Sequence, residues 1–201
     1  MKTDELTTKK YQKLLAGKLR TLLGLPVETE WRAMKEQLSL YCPYVDIAVG
    51  PFVYDNSCIT DQHDRVVKQW KKPIEAMLDY HKRNVENLSW EDCQTSFEDL
   101  CYKNKTARCF MAIEIENKVS RKHLIGGAVN AIALGRLGIV VAYTPDKLEA
   151  LVKIRRYLWF LSRATNFDTT NLLILNREQL ANSFMLRIST DTKRGKRKNR
   201  F

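Results

Sequence analysis

Residues 109–143 constrain the fold more than any other stretch of the chain. From Cys109 to Lys118, the residues Phe110, Ala112, Glu114, Glu116 and Lys118 alternate with Met111, Ile113, Ile115 and Asn117, which is the period of a β-strand. Ser120 then stands as an N-cap ahead of a helical stripe made by Leu124, Ala128, Ala131 and Ile132, and Gly135 serves as terminator. Leu137 to Tyr143 is a short continuous apolar run, suited to a strand covered on both faces. Strands that alternate with helices in this way predict an α/β layer structure with parallel pairing.

Around this unit the periodicity predicts further elements. Tyr11, Leu14, Leu15, Leu19 and Leu22 recur at helical spacing, with Gly24 and Pro26 as the stop. A second helix is expected from about Glu28 to Leu40, with Trp31, Met34 and Leu38 on one face and Pro43 closing it. Tyr44 to Phe52 reads as a strand in which Val45, Ile47 and Val49 alternate with Asp46 and Ala48, leaving space around the Asp46 carboxylate. Val67, Trp70, Ile74, Met77, Leu78, His81 and Val85 keep a helical period, and Pro73 either kinks that helix or begins a second one. Ser89 is the expected cap of a short helix through Leu100, with Phe97 and Leu100 inward. Thr144 and Pro145 open a helix through Leu161, Asn171 to Leu175 form a last strand, and a short helix follows near Arg177 to Ala181.

At 201 residues and 44% hydrophobic content, the chain is long enough to bury one core, so residues 1–192 are expected to form a single domain. The net charge of +11 points to polyanionic partners. Residues 193–201 form a basic tail, in which Lys193, Arg194, Lys196, Arg197, Lys198 and Arg200 offer salt-sensitive phosphate affinity or serve only as a solubilising arm. Cys42, Cys58, Cys93, Cys101 and Cys109 are odd in number and hold no close Cys-x-x-Cys pair, which argues against a disulfide framework and a zinc site. Met1 to Lys10 lacks the apolar core of a signal peptide, and no apolar stretch reaches the ~18 residues of a membrane span. A cytoplasmic location without membrane contact is expected. Gly126, Gly127, Gly135 and Gly138 match neither nucleotide fingerprint and fit close packing of helix on sheet better.

The chemistry concentrates in the ionisable face of the 109–118 strand. An edge strand with its polar face in water would produce the same alternation. Together with Asp46 on a second strand, however, the chain resembles the PD-(D/E)xK nuclease superfamily. Pro43-Tyr44-Val45-Asp46 stands in the place of the family's Pro-Asp element, with two residues intervening, and Glu116-Asn117-Lys118 matches its (D/E)xK element. The resemblance implies a restriction-endonuclease-like core, a central mixed sheet flanked by helices. The long gap between Asp46 and Glu116 departs from the family and implies a helical insertion over about residues 55–106.

What the resemblance implies for function is hydrolysis of phosphodiester bonds, with DNA the expected substrate and RNA left open. Asp46 and Glu116 would hold magnesium or manganese, the Asn117 backbone carbonyl would complete the set, and Lys118 would serve the attacking water. Glu114 shares the face of Glu116 and stands as an alternative ligand, a supporting acid or a solvated side chain. Many members carry a further acid on the helix before the first core strand, a place Glu30 would fill. Arg121 and Lys122 open the helix beside the site and, with Lys196, Arg197 and Lys198 of the tail, are the expected nucleic-acid contacts. Asn130, a lone polar residue in that helix, either reaches substrate or lies at the surface. The insertion offers two roles: a DNA-facing surface through Lys68, Lys71, Lys72, Lys82 and Arg83, or a homodimer through the Trp70 to Val85 stripe. The alternative to an enzyme is a catalytically inactive nucleic-acid-binding module on the same fold.

Overall fold

The computed structural model of the chain describes residues 7–34, 44–55, 57–86, 95–117, 120–164 and 167–188. Five strands form one mixed sheet in sequential order: β1 (Val27–Arg32), β2 (Tyr44–Val49), β3 (Cys109–Glu116), β4 (Gly135–Ala142) and β5 (Leu172–Asn176). The first three pair antiparallel and the last three parallel, so β3 sits at the centre where the two patterns meet. All of its residues are buried, which removes the edge-strand reading of its charged face. The α/β expectation holds in this form: a mixed sheet with helices on both faces.

The parallel half follows from the sequence with little slack. Helix α5 (Arg121–Leu134) connects β3 to β4, and Gly135 ends it and begins β4 without an intervening loop. Gly138 lies against the Ala131 carbonyl, where a Cβ would come within 2.8 Å, so a glycine is needed for this helix to reach the sheet. Helix α6 (Pro145–Ala164) returns to β5, and α7 (Arg177–Ser183) follows at once. Asn176 caps α7 through a reciprocal box with Gln179.

Two apolar layers sandwich the sheet. Beneath one face, α5 and α6 bring Leu124, Ala128, Leu151 and Leu158 against Ala112, Val140 and Ile174. Against the other lie α1 (Thr8–Leu23), α2 (Thr60–Gln69), α3 (Lys71–Glu86), α4 (Phe97–Tyr102) and α7, packing Leu15, Leu19, Met77, Leu100 and Leu180 on Ile47, Ile113, Ile139 and Leu173. Each fully buried aliphatic side chain contributes about 1.5–3 kcal/mol. Helix α1 stops at Gly24, whose left-handed φ of 64° lets its N–H reach the Arg20 carbonyl.

One expected helix is replaced by a strand. Val27 to Arg32 pairs antiparallel with β2, from Val27 opposite Val49 to Arg32 opposite Tyr44. The Trp31 that suggested a helical stripe is instead buried on the sheet. Ala33 and Met34 are not helical either, and Met34 is exposed; residues 35–40 of that predicted helix and Pro43 lie outside the described residues, as does Ser89. The cap of α4 is Ser96, whose hydroxyl accepts from the Asp99 N–H at 3.0 Å. Between β2 and β3 the described part of the insertion is built on three helices, α2, α3 and α4, and Pro73 falls in the first turn of α3, beginning a second helix. Among the described residues no helix is long and apolar enough to cross a membrane.

Candidate active site

The register of the sheet brings the acids together. Ile47 lies opposite Ile113 in the β2–β3 pairing, so the next step along each strand sets Asp46 opposite Glu114. Backbone pairing stops there, and the Ile115 N–H donates instead to Asp46 Oδ2 at 2.7 Å. The carboxylate thus replaces a ladder carbonyl where the two strands begin to part. The Asp46 carbonyl, freed in the same way, accepts from Gln12 Nε2 of α1 at 2.6 Å.

Glu114 stands at the middle of the group. Its carboxyl lies within hydrogen-bonding reach of the Asp46 side chain and N–H and of the Asn130 side chain on α5. Only 7% of its surface is exposed, and for Glu116 the figure is 9%. Burial, reinforced by the Asp46 and Glu116 charges, pushes Glu114 up to about 9, against the pull of the Asp46 N–H and Asn130. Asp46 is raised as well, chiefly by burial, with Glu30 adding to the shift and the Ile115 N–H opposing it. Glu114 is therefore held neutral at pH 7, sharing a proton with a site that carries more acid than it can ionise.

Gly127 makes the room for Glu116. A Cβ at that position would meet Glu116 Oε1 at 2.6 Å and the Glu114 side chain at 3.6 Å, so Glu116 keeps this position only with hydrogen there. Gly126, one residue earlier, faces open space. Packing therefore accounts for Gly127 but not for Gly126.

Glu30 reaches the group from a different element than expected. It lies on β1, exposed, with Oε1 at 3.4 Å from Gln12 Nε2. Its φ of 53° is left-handed, and the alternation slips there. Val27 faces the α1 layer, whereas Trp31, four residues on, packs in the α5 layer. Trp31 stacks on Phe52 with ring centroids 5.2 Å apart and donates to the Tyr54 hydroxyl at 3.1 Å.

The remaining candidates divide between the site's margin and places beyond it. Asn117 turns its amide to the Thr8 hydroxyl at 3.2 Å, at the start of α1. Arg121 and Lys122 are exposed in the first turn of α5, and Ser120 occupies the N-cap position without a side-chain capping bond. Lys118 and the tail residues Lys196, Arg197 and Lys198 lie outside the described residues. Lys68, Lys71, Lys72, Lys82 and Arg83 sit on α2 and α3, in the layer across the sheet from α5. Gln12 is the contributor that the sequence reading passed over. Its signal was a lone polar residue in register with Leu15 and Leu19, on a stripe that had to be buried.

The donor set consists of carboxylate oxygens, which suits a hard divalent cation better than zinc or copper. Among the described residues no group of three or more His, Cys, Asp or Glu side chains is already arranged to hold a metal ion. No family model, curated protein or solved structure matches the chain.

Proposed function

We propose that the chain is a metal-dependent nuclease of the PD-(D/E)xK type, hydrolysing phosphodiester bonds in DNA. The observation that carries this reading is the convergence of Asp46, Glu114 and Glu116 from two neighbouring strands, at the point where Asp46 takes over the Ile115 N–H. Two buried carboxylates, Glu114 and Glu116, beside the half-buried Asp46 are costly for a fold unless a cation or a proton compensates them.

Asp46 and Glu116, with Glu114 between them, would hold magnesium or manganese, and the Asn117 carbonyl stands next in the chain. The bound ion would offset the charge that builds on the phosphate as the bond breaks. Asp46 is held in place by the Ile115 N–H and, through its own carbonyl, by Gln12. Glu114 is held protonated by burial and by its acidic neighbours, and a bound cation would favour its ionised form. Lys118, two residues beyond Glu116, would assist the attacking water, and Arg121 and Lys122 would hold the backbone beside it.

The rival is a binding module that uses the same basic surfaces without cleavage. The lack of a ready three-carboxylate cage among the described residues favours it. A cleavage assay on single-stranded, duplex and branched DNA, with and without magnesium, separates the two readings. Asp46→Asn is the sharpest variant, because its amide oxygen keeps the Ile115 bond while the charge is lost. Magnesium-dependent cleavage that drops about 100-fold or more in Asp46→Asn and Lys118→Ala is the expected result. Equal activity in those variants removes the enzyme assignment.

A further inference from the structure

A second site adjoins the acids on the other face of the same sheet edge. Glu116, Ala142 and Asn176 stand abreast at the ends of β3, β4 and β5. The next residue of each strand, Asn117, Tyr143 and Arg177, therefore forms a row directed to the α1 layer. Asn117 meets Thr8 there, and the Tyr143 ring meets Tyr11 edge-on at 5.9 Å. The Arg177 guanidinium lies 3.9 Å above the Tyr143 ring and 5.7 Å from that of Tyr11. Arg177 makes no ion pair among the described residues, so its charge is held by rings rather than spent on a carboxylate.

This row borders a pocket of 530 Å³, whose lining includes Tyr11, Arg177, Asn182, Leu186, Arg187 and Ile188. Two arginines against one rim carboxylate, Glu178, leave the lining cationic, while Leu186 and Ile188 give it an apolar wall. An anionic group joined to a flat apolar body meets both halves, and a nucleotide has that chemistry. Arg177 lies two strand spacings from Glu116, about 10 Å, so one nucleic-acid strand crossing the sheet edge touches both sites. Thr8, Tyr11 and Gln12, consecutive on one face of α1, tie the two together: Gln12 fixes Asp46 while Tyr11 floors the pocket.

We propose that the Tyr11–Arg177–Leu186 pocket holds one nucleotide of the substrate strand beside the cleaved bond, its phosphate against Arg177 and Arg187 and its base against Leu186 and Ile188. The proposal rests on the nuclease reading for its substrate, but its test does not depend on cleavage. Equilibrium binding of a fluorescent single-stranded oligonucleotide to the full-length chain, in excess EDTA, is compared across Arg177→Gln, Arg187→Gln and Lys105→Gln. Lys105 is exposed at the opposite end of the parallel strands and controls for the loss of one charge.

Arg177→Gln is expected to weaken binding about tenfold and to flatten the salt dependence by roughly 0.7 in the log–log slope, with Lys105→Gln close to wild type. Should Arg177→Gln fail to fold, the exposed Arg187→Gln decides, with a smaller loss in the same direction. A nucleoside monophosphate is expected to bind wild type more tightly than inorganic phosphate does. Arginine variants that match Lys105→Gln, or equal affinity for the two small ligands, overturn the proposal. Weakened binding in a protein that never cleaves would sink the nuclease reading and leave the pocket standing. Cleavage with unaltered binding in the arginine variants would do the reverse.

Discussion

Glu114 is the residue on which the energetics of the site turn. Its folded value of about 9 lies well above the ordinary 4.5, so the sign of its effect on stability is fixed. Below pH 4.5 the carboxyl is protonated in folded and unfolded chains alike, and it has no effect. Between 4.5 and 9 only the unfolded chain ionises, and stability falls by up to about 1.4 kcal/mol per pH unit. Glu114→Gln keeps the shape of the neutral acid and can still donate to Asp46. Its melting temperature should therefore exceed that of the wild type at pH 8, with the gap closing as pH falls toward 4.5. Parallel melting curves for the two proteins across that range would show that Glu114 is not held neutral. Gly127 gives a second test at the same scale. Alanine there improves helix propensity by about 1 kcal/mol but displaces the far end of the Glu116 side chain. Gly127→Ala is expected to melt within a few degrees of wild type and, on the nuclease reading, to cleave at least ~10-fold more slowly, while Gly126→Ala, facing open space, should gain stability and leave that activity unchanged.

At the scale of elements, one side chain of the sheet ties together several parts of the helical insertion. Arg136, 1% exposed near the start of β4, donates to the Cys101 carbonyl at 2.5 Å, the Asn104 carbonyl at 2.7 Å and Asp64 Oδ1 at 2.6 Å. Arg136→Met strips three partners at once from α2, from α4 and from the turn after α4. Chemical denaturation should show a loss of about 3 kcal/mol, and a change below 1 kcal/mol would mean that the insertion is held by its apolar contacts and by the His81 and Asn84 bonds to β5. The same scale explains which elements could be read in advance. The unit from β3 to β4 was legible because alternation, cap, stripe and terminating glycine all agree within 35 residues. β1 was not, because Trp31 and Met34 fit a helical period as well as Trp31 fits a strand, and the choice was made by pairing with β2. Glu30 compounds the difficulty, since its left-handed backbone moves Trp31 to the opposite face and breaks the alternation that would have signalled a strand. For the same reason Glu114 was ranked behind Glu116. Spacing to Lys118 is visible along one strand, whereas position opposite Asp46 depends on a register between two.

For the whole molecule, the acids and the net charge pull in opposite directions, and the chain separates them in sequence. A cluster of carboxylates repels a polyanion, so capture has to be achieved elsewhere. Six of the basic side chains fall within residues 193–200, more than half of the surplus of 11 charges. If those side chains meet phosphates, each releases counterions and steepens the salt dependence of duplex binding by about 0.9 in the log–log slope. Removing residues 193–201 should then flatten that slope by roughly 3–5 and weaken binding at moderate salt by two or more orders of magnitude. On the nuclease reading, magnesium-dependent cleavage at low salt and saturating DNA is expected to survive the truncation, because Asp46, Glu114 and Glu116 are fixed by β2, β3 and α5 rather than by the tail. A filter-binding series from low to moderate salt on the full-length and shortened chains measures the first effect, and single-turnover cleavage measures the second. An unchanged slope would locate phosphate capture on the folded surface, and lost low-salt cleavage would make the tail part of the site.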